Sequence, residues 1–545
     1  MTPSSLSVAS GRVKQRLPEV LLAVLAVALL VAPAGLLRRG AGDGDLLPSG
    51  SAGAVTAAEP EGYTAATCGP VTFVPGDSPG ACHTPLLRAL YTGLVRWDPA
   101  TGAAELDLAA EIRTEDQRTF TIRLEEGHTF HDGSPVTAAA FAAAWNHTAY
   151  GPNALALAPL FEHIEGYDAL RCGEPGCTPA ARELSGVEIL DDRTLRVRLR
   201  APDREFVTAL GSPAFFPLPD TFFADPGAFA LRPIGNGPFR ADGEQGDEAA
   251  VRLVAHDAHP EPPAADRVEF RVYDDRGRAL DDVVAGNLDV AAEVPPGRLA
   301  DARAALGDRL VEGPGPVVNY LGFAPGDPRF ADADARRAVS MALDRTALVA
   351  ARPGERPATG FLPPGVPGAR PDACSPACAH DPAAARALFG AAPFDGPVEL
   401  HYNSGAGHEA WVEAAAGQLS AALGVEVVPR PTSLDQLIGG LESGTFTGLF
   451  RIGWFAEYPS PGTYLRPRFA HPGPEVTGLL DEAAAAPTAG AAVAAYQAAE
   501  DRLVQDLPLV PVFFSRAVLV HSERVHGVAG APLTAFDPAA VSVRP

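Results

Sequence analysis

Lysine is almost absent from this chain. Lys14 is the only one in 545 residues, and every other basic side chain is Arg or His. With a formal charge of −24, the surface repels phosphate backbones, which argues against nucleic-acid binding. Catalytic signatures are also missing. Ser212, Ser340 and Ser404 have no Gly-x-Ser-x-Gly elbow around them. His408-Glu409-x-x-x-Glu413 lacks the second His of a zinc-protease helix, and Gly405-x-Gly407 lacks the third Gly of a dinucleotide loop. His131-Asp132 reads as a strand-ending turn rather than an acid–base pair. No enzyme class and no cofactor is therefore expected. The 55 glycines show no three-residue period, which excludes collagen, and a 46% apolar composition excludes a disordered chain.

What is present begins with a leader. Residues 1–16 carry Arg12, Lys14 and Arg16 without an acid, and Val20–Leu37 follows as eighteen uncharged, mostly apolar residues. Residues 1–39 read as a signal peptide or a signal anchor. Ala32-Pro33-Ala34 marks a cleavage site before Gly35; if it is used, three positive charges and one negative are lost and −24 becomes −26. An uncleaved Val20–Leu37 would be just long enough to anchor the chain in a bilayer. Either way the body of the protein is expected outside the cytoplasmic membrane. No Cys follows the apolar run closely enough for a lipid anchor. The six cysteines fall into near neighbours, Cys68 with Cys82, Cys172 with Cys177 and Cys374 with Cys378. These read as three local disulfides of an oxidising compartment, one of fifteen pairings six cysteines allow. A zinc site is the rival reading, approached only by Cys374-x3-Cys378 with His380.

At about 150 residues per domain the length predicts two to four domains. Residues 40–63 read as a flexible tether, with structure beginning near Val71. Thr119–Leu124 alternates with period two, and Val187–Leu199 reads as two strands around an Asp-Asp turn, together one antiparallel sheet. Helices are predicted over Asp334–Val349, from Asp381-Pro382 onward, and over His408–Leu423, the last leading into a strand at Val425–Pro429. Strand-rich segments followed by helix–strand alternation predict an α+β or α/β protein with at least two cores.

Seven motifs occur in one order over about 420 residues: Leu90-Tyr91-Thr92-Gly93-Leu94; Leu108-Ala109-Ala110-Glu111; Phe130-His131-Asp132-Gly133 through Ala138; Arg232-Pro233-Ile234-Gly235-Asn236-Gly237-Pro238-Phe239; Gly286-Asn287-Leu288-Asp289; the Arg336–Arg345 helix; and Leu507-Pro508-Leu509-Val510-Pro511-Val512. Together they resemble the family 5 extracellular solute-binding proteins, receptors of peptide-type ABC importers. The resemblance implies a periplasmic-binding-protein type II-like fold: two main lobes around a ligand cleft plus an extra third lobe. By that likeness the first lobe takes 64–100, 216–310 and 512–545, the extra lobe 101–215, and the second lobe 311–511.

The resemblance also implies a site. Arg451-Ile452-Gly453-Trp454-Phe455-Ala456-Glu457-Tyr458 is similar to the Arg-x-Gly-Trp-x-Ala-Asp-Tyr segment of oligopeptide-binding members, whose acidic residue pairs with the peptide's α-ammonium. Here that residue is Glu457, one methylene longer, with Trp454 and Tyr458 as walls. Tyr402-Asn403-Ser404 followed by His408 resembles the same branch, in which His408 and Arg451 face the peptide's carboxylate end. Ala324 stands where the family often has Asn. The expected function is capture of short peptides in a closing cleft and delivery to the permease subunits of the importer, by a monomer. The alternatives are a non-peptide ligand in the same fold (a metal chelate, a sugar, an antibiotic-like amide), a peptide-sensing receptor, and, least supported, a secreted hydrolase.

Overall fold

The computed structural model describes residues 62–78, 81–99, 101–171, 178–246, 249–390, 396–466, 469, 473–530 and 536–544. The leader at 1–39, the tether up to residue 61 and the Cys172–Cys177 pair lie outside them. Among the described residues no helix is long and apolar enough to cross a membrane.

Order begins earlier than the composition suggests. Gly62–Thr67, inside and just after the stretch read as tether, is a strand that buries Tyr63, Ala65 and Thr67 on one face. It runs parallel to Arg267–Val272 on one side and meets Val290 on the other. The small, polar composition hid it; period two with a buried alternate set is what a strand interior needs.

Gly62–Thr67 belongs to an 11-stranded mixed sheet. From one edge the order is Val427–Thr432, Val398–Asn403, Leu449–Phe455, Leu310–Phe323, Leu509–His521, Val290–Ala292, Gly62–Thr67, Arg267–Val272, Ala250–Ala255 and Phe239–Ala241, with Arg356–Pro357 paired to Leu509–His521. Leu310–Phe323 and Leu509–His521 are the two longest strands and lie side by side. Their register holds from Leu310↔Val520 to Pro314↔Arg516, slips, and resumes at Val318↔Phe514. Pro314 and Pro316 cannot donate to a ladder, and a Cβ on Gly315 would lie 2.4 Å from Ser515 Oγ.

Separate apolar clusters form on either side of that slip. One gathers Tyr63, Leu87, Phe120, Trp145, Phe215 and Phe270. Two others take opposite faces of the sheet beyond the slip. Val318, Tyr320, Phe450 and Ile452 pack on one face, and Leu321, Leu400, Tyr402 and Leu449 on the other, as strand alternation requires. A second sheet of four antiparallel strands, Ala109–Arg113, Thr119–Leu124, Thr194–Arg198 and Val187–Asp191, joins the first cluster.

The helices start where their caps put them. Asp381 accepts from Ala384 N at 2.9 Å to open Pro382–Phe389, and His408 precedes Glu409–Leu423. The single helix expected over Asp334–Val349 is two, Ala333–Met341 and Arg345–Ala350. Asp344 interrupts it by capping Ala347 N at 3.0 Å, a local bond that competes with continued helix. The strand expected at Val425–Pro429 begins two residues later, as Val427–Thr432.

Most of the recurring motifs turn out to be fasteners. His131 accepts from Gly235 N at 3.1 Å through Nδ1 and donates from Nε2 to Gly237 O at 3.1 Å. Asn236 bonds Thr92 through both its amide oxygen and its amide nitrogen. A Cβ on Gly235 would lie 1.9 Å from Leu90 O, so only glycine fits. Asp289 accepts from Thr64 N, Thr64 Oγ1 and Ser522 Oγ at 2.9, 3.1 and 2.6 Å. Arg345, 5% exposed, donates to the carbonyls of Ser340, Cys378 and Pro511 and to Ser340 Oγ. Cys374 and Cys378, and Cys68 and Cys82, are joined as disulfides with Cα atoms 5.3 and 5.9 Å apart.

Candidate functional site

The Leu449–Phe455 strand carries the site. Phe450 and Ile452 face one core, so Arg451 points to the opposite face. There its guanidinium donates to Asn403 Oδ1 at 3.0 Å and to Asn319 Oδ1. Asn403 ends the neighbouring strand and Asn319 sits on Leu310–Phe323, directly opposite Gly453. Gly453 is what lets the group in: a Cβ there would lie 3.0 Å from Arg451 Nη2 and 3.3 Å from Val317 Cγ1. Arg451 is only 7% exposed, and its partners are neutral amides, which do not cancel its charge. Its Nε has no hydrogen-bond partner among the described residues. Burial, with Arg352 adding, pulls its pKa down to about 9, while Glu355 pushes the other way.

Two residues that no motif singled out complete this end. Arg352 pairs with Glu355 through two hydrogen bonds, donates to Gly407 O at 3.0 Å, and rests its guanidinium 5.1 Å from the ring centre of Phe513. Burial raises the Glu355 carboxyl, and Arg352 opposes that rise. The only signal in the sequence was their i, i+3 spacing, which occurs too often to be read. His408 stands beside them, half-buried, and accepts from Trp411 Nε1 at 3.5 Å. Burial, with the charges of Arg451, Arg352 and Arg276, lowers its pKa to about 3, so it is neutral at physiological pH. Arg276 belongs to the helix Arg276–Ala285, on the other side of the strand slip, and is itself paired with Glu293 at 2.6 Å.

Glu457 follows the same strand, past its end. It is half-buried and, among the described residues, has no ion pair. Burial raises its pKa to about 7; its own backbone amide opposes this and the Glu162 carboxylate adds to it. The residues after it reach away from their own core. Tyr458 packs against the Tyr63–Phe270 cluster, a Cβ on Gly102 would lie 2.9 Å from Pro459, and Ser460 is buried. Arg204 N donates to Ala484 O at 2.9 Å close by, so this loop sits where two parts of the chain meet.

Trp454 and Tyr402, also expected at the site, sit against the two cores. Trp454 does not share the Arg451 face: it packs against the Val318–Ile452 core and donates Nε1 to Thr463 O at 2.7 Å. The residue that strand alternation puts on the Arg451 face is Phe455, which is 41% exposed. Tyr402 is 5% exposed inside the Leu400–Trp411 cluster, where it acts as core. The arrangement thus holds an under-neutralised cation and a carboxylate without a counter-ion among the described residues, on one strand and its continuation, suited to a ligand charged at both ends.

This architecture is the type II periplasmic-binding-like fold, which solved relatives of the chain share. The chain belongs to the bacterial extracellular solute-binding proteins, family 5, whose middle region matches residues 104–474. It is similar to the periplasmic murein peptide-binding protein MppA of Escherichia coli K12, 25% identical, over 82% of this chain and 86% of that one. It is also similar to the dipeptide-binding protein DppE of Bacillus subtilis, 24% identical, over 78% and 81%. Among solved structures, OppA of Burkholderia pseudomallei superposes with a TM-score of 0.74 at 24% identity, covering 90% of this chain and all of that one.

Proposed function

We propose that this chain is the extracytoplasmic substrate-binding protein of an ABC importer, capturing short peptides in a cleft that closes between lobes and presenting them to the permease as a monomer. The observation that carries the reading is the pair of unmatched charges: Arg451 buried among amides, and Glu457 half-buried without a cation among the described residues. A peptide's carboxylate and α-ammonium complete both. Family membership and the peptide-binding relatives support the ligand class, and the absence of a recognisable catalytic motif supports binding rather than hydrolysis. In this reading the lobes are 64–100 with 216–310 and 512–545, an extra lobe 101–215, and a second lobe 311–511. The register slip between Pro314 and Val318 is the hinge, because ladder bonds are interrupted there and bending costs least. A ligand touched by both lobes binds the closed state better and so shifts the open–closed equilibrium towards it. Export by the 1–39 leader puts the protein outside the cytoplasmic membrane.

The test is native mass spectrometry of protein purified from its own host, before and after mild denaturation, joined to Glu457→Ala. A ladder of co-purifying peptide masses is expected. Glu457→Ala is expected to weaken free peptides by about 2–5 kcal/mol, the cost of leaving one charge of a buried pair alone, and N-acetylated peptides far less. A single non-peptide mass, or equal losses for both peptide forms, overturns the reading.

A further inference from the structure

A second cluster of ligating side chains lies far along the chain from the Arg451 site. Cys68 Sγ, Cys82 Sγ and a ring nitrogen of His83 lie within 4.8 Å of one another, the only such three-ligand set among the described residues. His83 is 1% exposed, while both cysteines are half-buried. In the oxidised form the sulfurs are joined to each other. We infer that Cys68, Cys82 and His83 form a redox-gated site for a soft divalent cation such as Zn²⁺, closed while the disulfide stands and opened by its reduction.

Geometry carries the inference. His83 Nε2 lies 3.0 Å from Pro70 O, a contact that needs an N–H on that nitrogen. The other ring nitrogen, Nδ1, sits 3.5 Å from Cys68 Sγ and 3.5 Å from Cys82 Sγ. Cys68 Sγ is also 3.6 Å from Nε2, but that nitrogen is committed to the carbonyl. Metal–sulfur bonds of about 2.3 Å and metal–nitrogen bonds of about 2.0–2.1 Å at a tetrahedral centre place N and S about 3.5 Å apart. Both N–S separations already meet this. Only the sulfur–sulfur distance must grow, to about 3.8 Å, and cutting the bond between them permits that. The carbonyl on the far ring nitrogen is the outer partner that orients metal-binding histidines. Two thiolates and an imidazole select zinc-like or cuprous ions over magnesium or calcium. Three protein ligands leave a fourth position for water.

The steps balance. A dithiol reductant gives two electrons and two protons to the disulfide, making two thiols and becoming a disulfide itself. The divalent cation then displaces the two thiol protons into solvent as the metal–sulfur bonds form.

The test uses the full chain, oxidised and then reduced with dithiothreitol that is afterwards removed, titrated anaerobically with Zn²⁺ and with Co²⁺ as a spectroscopic reporter. One equivalent per chain is expected after reduction and none before, with the Co²⁺ spectrum showing thiolate coordination. His83→Gln, which retains the disulfide, is expected to weaken the site at least tenfold. Replacing the other four cysteines by Ser is expected to leave the site intact; should that variant not fold, the comparison of His83→Gln with the native chain decides. Equal metal uptake by oxidised and reduced protein, by His83→Gln and native, or no uptake after reduction overturns the inference. Peptide capture reads out separately, so its failure does not touch this site.

Discussion

The two ends of the candidate site are built on opposite principles. Arg451 is wired into its own fold: amide oxygens from two neighbouring strands hold it, and Gly453 makes room for it. Glu457 is held by nothing among the described residues except its own backbone. The first group serves structure and ligand together. The second costs the empty protein stability and repays it only when a cation arrives. A binding protein can thus keep one anchor rigid and let the other report occupancy.

The largest expected effect comes from breaking the rigid end. Arg451→Ala leaves Asn319 and Asn403 with buried oxygens and no donor. Denaturant unfolding is expected to show a loss of about 2–6 kcal/mol, from two unsatisfied polar groups at roughly 1–3 kcal/mol each. A loss below about 1 kcal/mol would mean the wiring is incidental.

Next is the pH response of the free end. The Glu457 carboxyl ionises near 4.5 when unfolded and near 7 when folded. A raised acid pKa makes the unfolded state ionise first, so stability falls as pH rises from about 4.5 to 7 and levels off above. At 1.36 kcal/mol per pKa unit, the loss is at most about 3.4 kcal/mol. Glu457→Gln is expected to remove that slope, so that the variant matches or exceeds the native protein at pH 8. Peptide affinity is expected to rise through pH 7, with proton release on binding near pH 6, read by calorimetry in two buffers. No buffer dependence would break the contrast between the two ends.

His408 gives the opposite sign. Its pKa falls from 6.5 to about 3 on folding, so the unfolded state takes up a proton first and stability is lost as pH drops from 6.5 towards 3. His408→Gln is expected to flatten part of that acid limb. A bound carboxylate is expected to raise the His408 pKa, measurable by NMR titration with and without peptide.

The smallest effect is expected at Phe455. Its ring is 41% exposed, so Phe455→Ala changes stability by about 0.5 kcal/mol or less. It is expected to weaken peptides with large apolar residues more than glycine-rich ones. Uniform weakening across a peptide panel would place Phe455 outside the side-chain subsite.

Much of the fold was legible because its fasteners are local in sequence and strict in chemistry. Asp381 before Pro382 announces a helix start, and period-two alternation announces Thr119–Leu124. The ordered motifs were legible for the same reason: His131, Asn236, Asp289 and Arg345 each bond backbone groups that only one type of side chain satisfies. The site was legible only in part. Trp454 and Glu457 share a segment, and nothing in the segment tells which face each side chain takes until the neighbouring strands define the cores. Arg352 and Glu355 carry no signature, and Gly62 and Tyr63 read as tether because the burial of their strand comes from strands some two hundred residues away. Cys82-His83 was adjacent in the sequence, yet its meeting with Cys68 depends on a loop closing.

The sequence by itself determined the family, the order of the motifs, the alternation of strands and caps, and the placing of an acid and an arginine six residues apart, since these rest on side-chain type and spacing alone. Tertiary structure decided the rest: which face Arg451 shares with Asn319 and Asn403, that Trp454 turns away, and that Glu457 stands without a counter-ion among the described residues. Burial and partnership are sums over residues distant in the chain, and charge energetics inside a protein follow distance in space rather than position in sequence.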